Sequence, residues 1–336
     1  MNIFIFCLSI IFIYLLSNFL KKKEYLLNLS GDEHQKFATN NGVPLVGGVF
    51  ILLGYLLIFF DQNKSLLLFL SLMFLLGLFS DLKIISSAKK RILIQAAIVI
   101  SFVYFLDLKI DSVRVILFDR YLNIKIINFF FVCFCIIILI NGSNFIDGLN
   151  GLSLGYYIVV LCALMIYLQH PFDPHQLINL LYLLLILLVF NFLNRLFIGD
   201  NGAYILGLIF SYFLITIYQK TPNISPYYII LLLWYPCYEL LFSIIRKFNL
   251  NYSPIKPDVS HLHQLIYFFI KRKFNLTSLK SNNISSLIIL IFNTLIIYLG
   301  SKDTHNTQLQ VILILLSIFI YTFSYNLALK YKRENK

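Results

Sequence analysis

With 336 residues, 60% of them hydrophobic and only 12% charged, the chain carries about half the charge of an ordinary soluble domain. At a mean hydropathy of +0.84 it holds more apolar surface than a soluble fold of this length can bury, which excludes soluble globular, disordered, collagen-like and disulfide-stapled classes. The net charge of +12 would suggest nucleic acid on a soluble protein; beside so many apolar runs it reads as topology-setting, lipid-facing charge, and no nucleic-acid partner is expected.

The apolar runs are about 15–20 residues long, helix length for a bilayer, and lack the short alternating pattern of an outer-membrane barrel. Eleven such segments follow one another at about 3–20, 44–60, 65–79, 92–106, 128–141, 153–169, 177–193, 203–218, 227–245, 284–300 and 309–328. The first resembles a signal peptide in length. It has no basic residues before it, Lys21, Lys22 and Lys23 after it and no small-residue cleavage site, so it reads as an anchor with its N-terminus outside. That choice puts 21–43, 80–91, 142–152, 194–202, 246–283 and the tail after 328 on the inside. These stretches hold 20 of the 27 Lys and Arg, against 7 in the outside loops, as the positive-inside rule requires. The whole of 1–336 is therefore expected to be one all-α, polytopic transmembrane domain in the lipid bilayer, N-terminus outside and C-terminus cytoplasmic. The longest outside loop, 107–127, alternates Val113, Arg114, Val115, Ile116 and Leu117, which predicts a short hairpin. Cys7, Cys133, Cys135, Cys162 and Cys237 all lie in apolar runs and imply buried free thiols rather than disulfides or a metal cluster.

The polar clusters collect on the inside. Pro44-Leu45-Val46-Gly47-Gly48 opens the second apolar segment, where paired glycines suit either close helix packing or close approach of a ligand. Ser80-Asp81 ends the third. A carboxylate at a helix C-terminus opposes the macrodipole and calls for a partner, for which a bound cation is one reading and a solvated turn the other. Lys89, Lys90 and Arg91 follow, placed to hold a phosphate or to snorkel to the interface.

Asn144, Asp147 and Asn150 recur every three residues among Gly142, Gly148 and Gly151, a spacing that predicts one helical face of oxygen donors for a hard cation or a phosphate-bearing ligand. Asp200, in Gly199-Asp200-Asn201-Gly202, opens the eighth segment and reads as a helix N-cap or as a site carboxylate. Ser260-His261-Leu262-His263-Gln264 sits in the most basic inside loop. His261 and His263 diverge on a helix but meet one ligand on an extended loop, and the surrounding cations suit an anionic substrate. No zinc spacing, P-loop, dinucleotide fingerprint or nucleophile elbow occurs. Carboxylates, amides, histidines and lysines on one face suit hard-cation and phosphate chemistry.

Taken in order, these clusters resemble the polyprenyl-phosphate N-acetylhexosamine-1-phosphate transferases, the family of phospho-N-acetylmuramoyl-pentapeptide transferase and the undecaprenyl-phosphate N-acetylglucosaminyl-1-phosphate transferases. The likeness runs from about residue 43 to 265: P-L-V-G-G at 44–48, Asp81 as the second of an aspartate pair, Asn144-Phe145-Ile146-Asp147-Gly148, Gly199-Asp200 with Gly202, Pro236 with Glu239, and Ser260 to His263. The departures are Ser80 for the first aspartate, Asn150 for the last aspartate of D-G-x-D-G, and Gln264 for a third histidine. Ser80 is tolerable chemically, because a phosphate monoester with a second pKa near 6 is mostly ionised at neutral pH and scarcely needs a base.

The resemblance implies transfer of N-acetylhexosamine 1-phosphate from a UDP-N-acetylhexosamine to a polyprenyl (undecaprenyl) phosphate, with loss of UMP, at the cytoplasmic face of the inner membrane. It implies Mg²⁺, with Mn²⁺ as the alternative, held by Asp200 and Asp81. Asp81, Asp147 and Asp200 would be catalytic. Asn144, Asn150, His261, His263, Lys89 and Arg91 would contact substrates. A homodimer is left open. The alternative is a catalytically inactive paralogue or a transporter that binds a lipid-linked sugar.

Overall fold

A computed structural model describes residues 3–27, 42–59, 64–249 and 260–335. The stretch 256–259 of the basic inside loop lies outside the described residues. Thirteen helices occur among those described: α1 (Ile3–Lys22), α2 (Gly47–Phe59), α3 (Lys64–Asp81), α4 (Ala88–Phe105), α5 (Ile116–Leu122), α6 (Lys125–Ile146), α7 (Leu152–Tyr167), α8 (Pro174–Phe192), α9 (Gly199–Lys220), α10 (Pro226–Asn249), α11 (Leu262–Lys273), α12 (Ser278–Ser301) and α13 (Thr307–Glu334). Each of the eleven apolar segments falls on one of them. Seven, namely α3, α6, α8, α9, α10, α12 and α13, are long and apolar enough to cross a bilayer. The chain is a multi-pass membrane protein.

The two helices beyond the eleven lie in loops. α11 is an amphipathic helix in the basic loop between α10 and α12. α5 replaces the expected hairpin. Asp119 draws the preceding strand-like stretch back onto itself, accepting from Ser112 Oγ at 2.7 Å and from the Val113 N–H at 2.8 Å, and the alternating residues find no strand to pair with. Cys133, Cys135, Cys162 and Cys237 are free.

α9 is the axis of the bundle. Nearly all of its membrane-length window is buried within the protein, and it packs against α2, α3 and α6. Such contact without a hydrophobic drive between helices depends on small residues at the seam. A Cβ on Gly77 of α3 would sit 2.3 Å from the Cα of Asn201, and one on Gly48 of α2 would sit 2.5 Å from the Gly202 nitrogen. The paired glycines of P-L-V-G-G thus serve helix packing. The segment before them also runs beside the loop entering α9: Phe197 N–H donates to Pro44 O at 2.8 Å and Gly47 N–H to Phe197 O at 2.9 Å. This pairing sets the N-termini of α2 and α9 side by side.

α10 carries Pro236 within its span, which deprives the Leu232 carbonyl of its usual donor. Tyr156 of α7 supplies one, its hydroxyl donating to Leu232 O at 2.9 Å, as a bilayer interior demands.

At one end of the bundle meet the starts of α2, α4, α7 and α9 and the ends of α3 and α6. At the other end Arg114 gathers three loops. Its guanidinium donates to Thr307 Oγ1 at 2.7 Å, His305 O at 3.0 Å and Asn223 O at 2.8 Å, while Tyr218 OH donates to Ser112 O at 2.6 Å.

Candidate active site

The first turn of α9 organises the polar end. A helix N-terminus leaves its first N–H groups without intrahelical partners and carries partial positive charge. Here carboxylates from two other helices take them. Asp200 N–H donates to Asp81 Oδ1 at 3.0 Å and Asn201 N–H to Asp81 Oδ2 at 3.1 Å, while Gly199 N–H donates to Asp147. Gly199 has φ +74°, and a Cβ there would lie 2.7 Å from Asp81 Oδ2, so glycine is required on both counts.

Asp81 therefore opposes the dipole of α3 but caps the N-terminus of α9. Asn201, buried, reaches the same carboxylate with its side-chain amide and also donates to Leu45 O at 3.1 Å. The expectation of Asp200 as N-cap is corrected. Ile198 occupies that position, and Asp200 lies inside the first turn with its side chain turned to other partners.

Those partners are Ser80 and Arg91. Ser80 Oγ donates to Asp200 Oδ2 at 2.5 Å, and Arg91 Nη1 lies 2.7 Å from both Asp200 Oδ2 and Ser80 Oγ. Tyr204 OH, one turn along α9, donates to the same oxygen at 3.4 Å. Arg91 thus neutralises Asp200 directly, a different position from Lys89 and Lys90, which are exposed on the first turn of α4. Ser80 brings no second negative charge beside Asp200 and supplies a donor.

Asp147 stands beside this pair. Loss of solvent, then the negative carboxylates of Asp200 and Asp81, push its carboxyl well above the ordinary carboxylate range, against the opposing Gly199 N–H. The sign of the consequence is fixed. The folded chain keeps this proton to higher pH than the unfolded chain does, so Asp147 costs stability as pH rises from about 4 through its folded-state value. Asp147→Asn, measured in EDTA, is expected to raise the melting temperature at pH 8 and leave it unchanged near pH 4. A variant whose melting temperature tracks the wild type across that range would contradict the crowding of these carboxylates.

The single face expected for Asn144, Asp147 and Asn150 does not form, because α6 ends at Ile146 and Gly151, at φ +76°, starts a new helix. Asn144 remains on the last turn of α6, and its carbonyl accepts from Asp147 N–H at 3.3 Å. Asn150 is buried and fastened to two other asparagines. Its N–H donates to Asn282 Oδ1 at 2.7 Å and its side-chain amide to Asn194 Oδ1 at 3.3 Å.

The two histidines come together. His261 is the N-cap of α11 and His263 lies in its first turn, their rings stacked at 5.5 Å and 13°. His261 meets the edge of Phe145 at 5.0 Å, and a Cβ on Gly148 would lie 2.4 Å from His263 Nε2, so both rings abut the turn that carries Asp147. Gln264, the third position of the triplet, caps α11 by accepting from His261 N–H at 3.2 Å. The sequence reading missed Asn201, Tyr204 and the bond from Arg91 to Asp200. The only sequence signal for Asn201 was its place inside Gly199-Asp200-Asn201-Gly202.

Among the described residues no three His, Cys, Asp or Glu side chains form a closed metal-ligand group. Mg²⁺ does not need one, since it binds through one or two carboxylates together with substrate phosphates and water. Asp200, Asp81 and Asp147, near enough to perturb one another, are hard oxygen donors of that kind.

The sequence profile of glycosyl transferase family 4 matches residues 63–218, from the start of α3 to the end of α9. The undecaprenyl-phosphate alpha-N-acetylglucosaminyl 1-phosphate transferase of Thermotoga maritima is 27% identical over 258 residues, 74% of this chain and 75% of that protein. The protein of the same name from Escherichia coli is 25% identical over 311 residues, 87% of this chain and 82% of its own. A probable undecaprenyl-phosphate N-acetylglucosaminyl 1-phosphate transferase of Bacillus subtilis is 30% identical over 200 residues, 58% of this chain and 55% of that protein. The matched stretch holds Asp81, Asp147 and Asp200 and the helices that bring them together, and these likenesses support glycosyl transferase family 4, with its undecaprenyl-phosphate N-acetylglucosaminyl 1-phosphate transferases, as the family this chain resembles.

Proposed function

We propose that the protein transfers N-acetylhexosamine 1-phosphate from a UDP-N-acetylhexosamine to undecaprenyl phosphate, releasing UMP and starting a lipid-linked cell-surface glycan. The observation that carries this reading is the meeting of Asp81, Asp147 and Asp200 at the N-terminus of α9, with the stacked His261 and His263 on the adjoining turn. The names of the relatives support it.

An oxygen of the lipid phosphate attacks the β-phosphorus of the nucleotide sugar. The bond from that phosphorus to the bridging oxygen breaks, and UMP leaves with the oxygen. Two anions must approach, so charge neutralisation dominates the barrier. Mg²⁺, or Mn²⁺ in its place, would be held by Asp200 with Asp81 and would supply charge to the phosphate oxygens. His261 and His263 contact the diphosphate, and Asn144 orients the nucleotide sugar. Lys89 meets the lipid phosphate at the interface, with Arg91 behind it, already committed to Asp200 and Ser80.

The test is Mg²⁺-dependent UMP release from a panel of UDP-N-acetylhexosamines with undecaprenyl phosphate. Activity on one of them is expected. Silence across the panel, with tight binding of the lipid-linked product, would favour the inactive paralogue. A transporter usually carries polar groups at mid-membrane in broken helices. Glu239, the carboxylate deepest in an apolar segment, is instead bonded to His261, which favours the transferase.

We also propose eleven crossings with the site facing the cytoplasm of the inner membrane and all of 1–336 forming one domain. The 20:7 division of basic residues and the alternation of helix ends support it. In a chain freed of native cysteines, cysteine at the exposed positions Asn223 or Asp303 is expected to react with an impermeant thiol reagent applied outside the cell. Cysteine at Ser87 or Lys271 is expected to stay shielded. Reaction at Ser87 from outside would invert the topology.

A further inference from the structure

Glu239 is 1% exposed in α10, far from the three aspartates in sequence, yet it is bound to the histidine pair. Its Oε1 lies 2.9 Å from His261 Nδ1 and 3.4 Å from Leu262 N–H, and its Oε2 accepts from Tyr321 OH of α13 at 2.9 Å. A ring nitrogen, a backbone N–H and a hydroxyl converge on it as donors, which is the environment of an ionised, acceptor-only carboxylate. The proton of His261 is then on Nδ1, and the ring is fixed in plane. The same loop is fastened by Arg246, which donates to Ser260 O and, at 2.9 Å, to Tyr325 OH of α13.

We infer that Glu239, backed by Tyr321, is a positioning residue that fixes the tautomer and orientation of His261 so that Nε2 meets the diphosphate of the nucleotide sugar. The inference rests on the phosphosugar-transfer reading. It makes the last helix of the chain part of a site whose carboxylates lie on α3, α6 and α9.

The experiment compares wild type, Glu239→Gln and Tyr321→Phe. UMP release is followed from pH 6 to 9 as kcat and KM for the UDP-sugar, and UDP is used separately as a ligand that raises the melting temperature. The charged or titratable groups facing Glu239 are His261 and His263 from α11, Tyr321 from α13, and Tyr235 and Tyr238 on its own helix, with Arg246 beside Tyr321. Of these the histidines are the groups that ordinarily titrate in that window.

Glu239→Gln is expected to keep the fold and raise KM about 10-fold, the scale of losing the partner that orients a histidine, while changing kcat less. It should also shrink the UDP-induced rise in melting temperature. Tyr321→Phe should do the same more weakly. A merely structural role would lower melting temperature and kcat without raising KM. A Glu239→Gln KM and UDP response equal to wild type overturn the inference and leave the transferase reading intact. If wild type releases no UMP from any UDP-N-acetylhexosamine, the transferase reading fails and the UDP response of the variants still decides the inference. No UDP response in wild type overturns both.

Discussion

Asp200→Asn is expected to leave the protein folded and inserted while lowering UMP release by about 10²-fold or more, the scale of losing one preorganised electrostatic contact. The substitution changes charge and almost nothing else. The amide oxygen still accepts from Ser80 and Tyr204, and the backbone N–H still donates to Asp81. Arg91, now facing a neutral amide, loses its ion pair, so its charge stands uncompensated where the phosphates meet. Two effects then oppose each other. The freed guanidinium strengthens phosphate binding, which lowers KM. The lost carboxylate removes the ligand proposed for Mg²⁺, which lowers kcat. Their combination separates Asp200 from a packing residue, whose loss lowers melting temperature and leaves KM unmoved. Near-wild-type turnover of Asp200→Asn across Mg²⁺ concentrations would reduce Asp200 to the anchor of Arg91.

Gly77→Ala is expected to lower the melting temperature by several degrees and to abolish most activity, although residue 77 touches no substrate. The new methyl would sit 2.3 Å from the Asn201 Cα and 2.6 Å from its nitrogen. Both are backbone atoms of the buried α9, so no side chain can rotate aside, and α3 and α9 must part. Overpacking of this kind costs about 1–3 kcal/mol in a close-packed core. The displacement falls one turn from Asp81, whose carboxylate must reach the Asp200 and Asn201 N–H groups to cap α9. Gly54 is the control. A Cβ there meets the Leu183 side chain, which can give, so Gly54→Ala should lower the melting temperature less and spare the rate. Equal effects at the two positions would mean that the α3–α9 seam is more compliant than its geometry implies.

The crossing helices were legible in the sequence because a bilayer demands about 20 apolar residues, and no other demand leaves so plain a mark. α5 and α11 were not. The first is only seven residues long and follows Val113, Arg114 and Val115, whose alternation mimics a strand, and the second mixes Phe268, Phe269 and Ile270 with Lys271, Arg272 and Lys273, which hides an amphipathic helix inside a basic loop. The polar clusters were visible as clusters, but their wiring was not. Ser80 and Asp200 are 120 residues apart, and which of them Arg91 would bind depends on how α3, α4 and α9 pack. The three-residue spacing of Asn144, Asp147 and Asn150 misled for a local reason. The spacing is meaningful only if the helix continues, and the glycines beside it end the helix after Ile146. Asp81 illustrates the opposite case. The sequence showed that a carboxylate at the end of α3 needed compensation, and the compensation proved to be the dipole of a helix more than a hundred residues away.

α9 has the lowest hydropathy of the seven bilayer-length helices and the most complete burial. Asp200, Asn201, Gly202, Gly207 and Ser211 lie along it, and almost none of its surface meets lipid. It is apolar enough to enter the bilayer, but less so than the other six. The helices it packs against most, α3, α6 and α2, are all earlier in the chain. The order of synthesis thus places the surfaces that receive its small and polar residues in the membrane ahead of it.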